Sequence, residues 1–460
     1  MLFSSLTFLY YFLPILLIIY LITPNKYKNK ILLIFSLIFY FYGEPRYIII
    51  LLLTSLINYI GANLIEKYES KSKLILILVL SYNILQLLYF KYTNFFISNI
   101  NTIFKTNINF IQLIMPIGIS FFTFQAISYV VDVFKKEITS SKSILDFTTY
   151  LSLFPQLVAG PIVRYKTIEK KLKERKLNYN DFANGSKRFI IGLSKKVLIA
   201  NVLGELCSSL STMTSPTIVG SWMNSISFTL QIYFDFSGYS DMAIGLGLIF
   251  GFKFLENFNY PFIAKSITDF WRRWHISLSS FFKDYIYIPL GGNRVSKLKW
   301  FRNIFIVWFL TGFWHGARWN FIIWGLYFAV LLILERTLYG KYIEKTKILK
   351  YVYTMLLVII SFTIFNANSL TEVITSLKNM FALNNIEFIN FETLYHLRNY
   401  IVVIIIAIIT STPLIKNLLS KLTKIKVFSI IETLCYFVLL IIVTSFLVDS
   451  SFNPFLYFRF

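Results

Sequence analysis

Long runs without charge decide which solvent this chain folds in. Residues 6–23, 47–64, 74–90, 321–335, 351–365, 400–411 and 427–447 are almost free of ionisable side chains. Most of these runs reach or approach the roughly 20 residues a helix needs to cross the hydrocarbon core of a bilayer. The remainder of the composition agrees: 56% of the residues are hydrophobic and 19% aromatic. The expected fold is therefore all-α, a polytopic integral membrane protein. At about twenty residues per span it has roughly ten to twelve membrane segments, some of them re-entrant. No stretch is long enough to hold a separate soluble domain, so residues 1–460 are read as one membrane-embedded domain.

Charge then sets the orientation. The opening "MLFSSLTFLYYFLPILLIIYLITPNKYKNK" has no basic leader and no small-residue cleavage site, so it reads as a retained span and not as a signal peptide. Its charges, Lys26, Lys28 and Lys30, follow the apolar run, which places them in the cytoplasm and the N-terminus outside. "GEPR" at 43–46 is then external, and Lys67, Lys71 and Lys73 are cytoplasmic again. The net charge of +23 sits in the connections between apolar segments. Orientation and anionic lipid headgroups account for it better than nucleic acid does. The densest run, Arg164 to Lys196, is expected at the cytoplasmic surface, as a topology signal or as a face toward an anionic donor. The two cysteines, Cys207 and Cys435, form no disulfide framework and no metal spacing.

Polar groups inside apolar segments are costly, and by default they mark function. Three regions carry them. In "MPIGISFFTFQAISYVVDVFKKEI" (115–138) and "LFPQLVAGPIVRY" (153–165), Pro116, Gly118, Pro155, Gly160 and Pro161 break helices. Such backbone is either an interfacial loop or a re-entrant segment lining a pocket. In "QIYFDFSGYSDMAIGLGLIFGF" (231–252), Asp235 and Tyr239 share a helix face, as do Ser237 and Asp241. Asp235 is placed to bond a buried tyrosine, arginine or histidine, in a structural network more readily than in direct chemistry. Gly238, Gly245, Gly247 and Gly251 allow a close neighbour. In "SITDFWRRWHISLSSFFKDYIYIPLGGNR" (266–294), Ser266 and Asp269 read as a helix start. The apolar spacing beyond them predicts one amphipathic helix near an interface, with Asp269 paired to Arg273 and His275 against the aromatic stripe.

The most informative stretch is "FWHGARWN", 313–320. His315 is one of three histidines in the chain and sits within a run, 303–334, that is too long for a single span. The run is expected to break or to continue through a pocket. With a helix starting near Asn303, His315 falls about 18 Å along it, and Gly312 and Gly316 form a face for close packing. A neutral imidazole at that depth needs a polar partner, and the functional reading outweighs a packing role. Histidine is suited to proton transfer near neutral pH, which fits activation of a hydroxyl against an acyl thioester in a pocket that excludes water. Spacing alone leaves proton-coupled transport open.

Five segments resemble the membrane-bound O-acyltransferase superfamily, and within it the membrane subunit of bacterial alginate-type O-acetyltransferases. They are "MPIGISFFTFQAISYVVDV", "FPQLVAGPIVRY", "YFDFSGYSDMAIGLGLIFGF", "NYPFIAKSITDFWRRWHISLSSFFKDYIYIPLGGNR" and "FLTGFWHGARWNFIIWG". The signature core runs over about 115–335, and "WRRWHISLS" with "FWHG" is its most specific part. The resemblance implies a multi-span helical fold with re-entrant segments around a central tunnel. It implies an acyl thioester donor, acetyl-CoA or similar, arriving from the cytoplasm, with no cofactor bound. It places the family's essential histidine on His315 and the second on His275, which would shape or polarise the donor site. Asp235, Tyr239, Trp274, Trp314 and Asn320 are the expected substrate-binding residues. A separate extracytoplasmic acetyltransferase, a polysaccharide acceptor and membrane lipids are the expected partners, in a bacterial cell membrane. Two alternatives stand beside this reading: D-alanyl transfer from a carrier protein to teichoic acid, and a transporter of polysaccharide or lipid-linked sugar.

Overall fold

The computed structural model describes residues 1–175, 177–422, 426–449 and 456, with the backbone alone at 426, 427 and 429. Every regular element among them is helical. Among the described residues, six helices are long and apolar enough to cross a bilayer: Ile48–Lys67, Glu69–Phe104, Trp319–Glu344, Leu349–Asn366, Phe391–Thr410 and Ile430–Asp449. Phe8–Ile22 and Ile119–Phe134 are shorter apolar helices. Each charge-free run of the sequence falls on one of these eight, so the chain is an all-α, multi-pass membrane protein. Only 11% of the apolar window in Glu69–Phe104 and 6% of that in Ile430–Asp449 is buried by protein. Apolar surface that wide suits contact with lipid.

The chain forms two compact units, Met1–Phe189 with Ser240–Leu255, and Ile190–Tyr239 with Glu256–Leu456. In the first, Ile48–Lys67 packs against Ser72–Phe104 and Ile119–Phe134. Polar pairs join these helices. Asn58 and Asn83 exchange amide hydrogen bonds of 3.1 and 2.9 Å, and the Ser55 hydroxyl lies 2.7 Å from that of Thr148 on a further helix, Ile144–Ser152. In an apolar solvent such pairs fix which faces meet. The segment 153–163, predicted as either an interfacial loop or a re-entrant element, is buried throughout. It is one short helical turn, Phe154–Leu157, followed by irregular backbone that survives because protein covers it. Its contact with helix Ile119–Phe134 needs Gly118, whose φ is +73° and where a Cβ would fall 2.5 Å from the Leu157 carbonyl oxygen.

The basic run does not behave as one surface. Lys170, Lys171 and Lys173 are exposed on helix Tyr165–Lys173. Arg175 is buried, with Nη2 donating to Asn29 Oδ1 at 2.6 Å and its guanidinium 4.4 Å above the Phe252 ring. Arg188 pairs with Asp241 at 2.9 Å. These cations are spent inside the unit because each finds an acceptor or a ring there.

In the second unit the expected break in 303–334 occurs directly after His315. Helix Lys297–His315 ends, Gly316 is extended, and helix Trp319–Leu334 returns. The helix starts at Lys297 and not near Asn303, and His315 is its last residue. The two arms press backbone to backbone. A Cβ on Gly325 would lie 3.0 Å from Gly312 N and closer still to the Trp308 carbonyl oxygen.

Candidate active site

The region around His275 is built by a crossing strap. Ser266 caps the first helix by accepting from Asp269 N–H at 3.0 Å, and Arg273 Nε lies 2.9 Å from Asp269 Oδ1, both as the spacing predicts. Glu335 adds a second cap, accepting from Ile267 N–H at 2.7 Å, Thr268 N–H at 3.1 Å and Thr268 Oγ1 at 2.6 Å. The single amphipathic helix expected beyond Ser266 is instead two: Ile267–Arg273 and Ile276–Phe282. Between them His275 takes a left-handed backbone, φ +45° and ψ +53°, a region uncommon for non-glycine residues but one in which histidine is enriched. The cause is segment 257–259. Asn259 N–H donates to the Arg273 carbonyl and Ile276 N–H to the Asn257 carbonyl, each at 2.9 Å. These bonds replace the helical ones and turn the chain.

The turn drives His275 fully inside. Its Nδ1 lies 3.2 Å from Asn257 Oδ1, which also accepts from Ser277 N–H at 3.2 Å and Ser277 Oγ at 2.9 Å. Phe236 meets the imidazole edge-on at 4.6 Å between centroids, with Phe258 at 6.5 Å and Trp314 at 5.9 Å. Burial among these rings pushes the His275 pKa down to about 3, so the ring is neutral at physiological pH.

His315, 2% exposed, closes its helix. The partial negative charge of the last carbonyls gathers at that end. Its ring lies 4.8 Å from Trp314, 4.9 Å from Trp324 and 5.3 Å from Phe365. The Trp314 indole thus touches both histidines. Trp271 joins the enclosure at 5.8 Å from Trp324 and 4.5 Å from Trp308. His275 Nε2, Trp271 Nε1 and Trp324 Nε1 are buried and have no hydrogen-bond partner among the described residues. Beside these rings lies a largely apolar cavity of about 170 Å³, lined by Trp271, Leu278, Phe282, Ile304, Trp308 and Thr311 among others. Its walls come from both histidine-bearing segments.

The other expected residues divide. Trp314 belongs to the enclosure. Trp274 is core, stacked on Phe270 at 5.6 Å and packed against Phe258 and Phe362 at 5.1 Å each. Asn320 ties helix ends together. Its Nδ2 lies 3.4, 3.2 and 2.8 Å from the carbonyls of Ile364, Phe365 and Ala367, and its Oδ1 has no partner among the described residues. Asp235 bonds neither tyrosine, arginine nor histidine in its ion pair. It meets Lys196 at 2.6 Å, with side-chain exposures of 1% and 3%. Lys196, expected at the cytoplasmic surface, is buried in a wide π-type turn at Lys195–Asn201 because Asp235 receives it there. Tyr239 is buried on the helix that carries Asp235, Ile218–Ile249. Asn257, Trp324 and Glu335 carry no signal in the sequence that marks them for the site. Asn257 lies in "FLENFNYPF" between Glu256 and Asn259, and nothing local marks it out from them.

Comparison with known proteins supports the same assignment. The model of the membrane-bound O-acyltransferase (MBOAT) family matches residues 71–377. The chain is 41% identical over 380 residues to a probable alginate O-acetylase of Pseudomonas aeruginosa, covering 80% of this chain and 73% of that protein. It is 38% identical over 426 residues to a peptidoglycan O-acetyltransferase of Helicobacter pylori, covering 84% and 81%. A teichoic acid D-alanyltransferase of Bacillus subtilis is 33% identical over 233 residues, covering 48% and 59%. These relatives are named as enzymes, which sets the transporter alternative aside. The chain belongs to the membrane-bound O-acyltransferase family and is an acyltransferase.

Proposed function

We propose that the protein moves an acetyl group from a cytoplasmic thioester, acetyl-CoA or a similar donor, to the outer side of a bacterial cell membrane, for O-acetylation of a polysaccharide. The observation that carries this reading is His315 itself. It is a buried imidazole at a helix end, enclosed by Trp314, Trp324 and Phe365, in a member of an acyltransferase family. His315 acts as the general base. The acceptor hydroxyl gives its proton to the imidazole as its oxygen attacks the thioester carbonyl. The C–S bond then breaks, and the departing sulfur takes that proton to leave as the free thiol. The aromatic enclosure keeps water from competing for the acyl group. A polysaccharide acceptor is supported by the relatives' names, one for alginate and one for peptidoglycan. Acetyl is favoured over D-alanyl because the O-acetylases match 80% and 84% of the chain, against 48% for the D-alanyltransferase. A separate extracytoplasmic acetyltransferase would complete the decoration.

The experiment supplies labelled acetyl-CoA and a hydroxyl acceptor to the purified protein and to a His315→Ala variant of equal thermal stability. Thioester cleavage with label on the acceptor, lost in the variant, supports the reading. Equal turnover by both proteins would remove His315 from the chemistry.

A further inference from the structure

His275 was expected to shape or polarise the donor site, and polarising a carbonyl oxygen requires it to offer an N–H. The hydrogen bonds around Asn257 decide what it can offer. The backbone N–H of Ser277 can only donate, and it meets the Asn257 side chain at 3.2 Å. The atom it meets is therefore the amide oxygen, Oδ1, and an amide oxygen only accepts. His275 Nδ1 lies 3.2 Å from that same oxygen, so Nδ1 carries a hydrogen and donates it. A neutral imidazole has one N–H. Its other nitrogen, Nε2, then presents a bare lone pair.

Neutrality has its own grounds. The rings packed on His275 are Phe236, Phe258 and Trp314, and its hydrogen-bond partner is an uncharged amide. Nε2 is itself buried and lacks a partner among the described residues. Asn257, wholly buried, is held by its own backbone bond to Ile276. The strap thus fixes both the left-handed turn at His275 and the face its ring presents.

We propose that Asn257 is a positioning residue that locks His275 as the Nδ1–H tautomer, so that Nε2 accepts a hydrogen bond from an N–H or O–H of the substrate and polarises no carbonyl. This rests on His275 belonging to the acyl-transfer site. Within such a site the available donors are the acceptor hydroxyl and the amide N–H groups of a thioester's carrier arm. Kinetics separate the two, because the substrate whose KM rises is the one His275 holds.

The test is nitrogen NMR of the full-length protein in detergent, labelled with 15N-histidine. The chain has three histidines, and the His275 signals are those missing from His275→Gln. The expected spectrum has a protonated Nδ1 and an unprotonated Nε2. Asn257→Ala should mix the tautomers and raise one substrate's KM by about tenfold, the worth of one oriented hydrogen bond. Ser277→Ala leaves the Asn257 contact in place and should keep the Nδ1–H form. An Nε2–H tautomer in the wild type would overturn the proposal, whether or not Asn257→Ala folds. So would an Asn257→Ala protein with unchanged tautomer and unchanged KM. The spectrum needs no turnover, so an inactive wild type with Nδ1–H would sink the acyl-transfer reading and leave the tautomer standing.

Discussion

Lys196 and Asp235 face each other at 2.6 Å with almost no exposure, which makes the cost of separating them calculable in outline. Two charges taken out of water each lose several kcal/mol of hydration, and mutual attraction roughly restores it. Removing one partner abolishes that attraction and leaves the other charge buried without it. Asp235→Leu and Lys196→Met should therefore each cost about 3–5 kcal/mol. In the Lys196→Met protein, Asp235 Oδ2 keeps the Leu456 N–H at 2.9 Å. Replacing both, as Lys196→Met with Asp235→Leu, removes the stranded charge altogether. What remains is the orphaned Leu456 N–H, worth about 1–3 kcal/mol. The double variant should thus be no less stable than either single one, and the cycle should be non-additive by several kcal/mol. The assay is equilibrium unfolding in one detergent, with two probes to test for a single transition. Single variants within about 0.5 kcal/mol of wild type, the scale of a solvated surface pair, would refute the reasoning. So would losses that simply add.

Three further outcomes follow from the second unit. Gly325→Ala drives a methyl into the Trp308 carbonyl and the Gly312 backbone, neither of which can yield as a side chain would. It should cost about 1–3 kcal/mol in thermal or denaturant unfolding, and Gly316→Ala, which meets the Phe321 ring, should cost less. Glu335→Ala strips two helix N–H groups and the Thr268 hydroxyl of their acceptor and should lower stability by about 2 kcal/mol, with Glu335→Gln restoring part of it. His275 has its pKa lowered from 6.5 to about 3, so below pH 6.5 the unfolded chain takes up a proton that the folded one refuses. The neutral ring's contribution is complete above pH 6.5 and is lost toward pH 3, at about 1.4 kcal/mol per unit. His275→Gln should flatten that stretch of the stability–pH curve; an unchanged slope would show that His275 is not held neutral.

What the sequence revealed and what it hid follow from range. Spans 48–67 and 349–366 were legible because hydrophobicity over one local window determines them. The Ser266 cap and the Asp269–Arg273 pair were legible because their partners lie within four residues. The break after His315 was visible as excess length, though its position was not, since it depends on Gly312 meeting Gly325 across the hairpin. The kink at His275 was hidden. Its apolar spacing fits one helix, and only hydrogen bonds to Asn257, 18 residues upstream, divide it in two. Lys196 was misplaced for the same reason: a lysine at the end of a basic run reads as solvated until a carboxylate far along the chain is seen to receive it. The two histidines were singled out from the sequence, whereas Trp324, which packs against His315, looked like an ordinary span residue.

The central claim is that acyl transfer through His315 carries the group across a membrane. Its most direct test seals the wild type and His315→Ala into proteoliposomes, with labelled acyl thioester on one face and a hydroxyl acceptor only on the other. The account predicts label on the far-side acceptor for the wild type and none for the variant at equal folded amounts. Equal far-side label with His315→Ala, or a wild type that hydrolyses the thioester without labelling the acceptor, would contradict it.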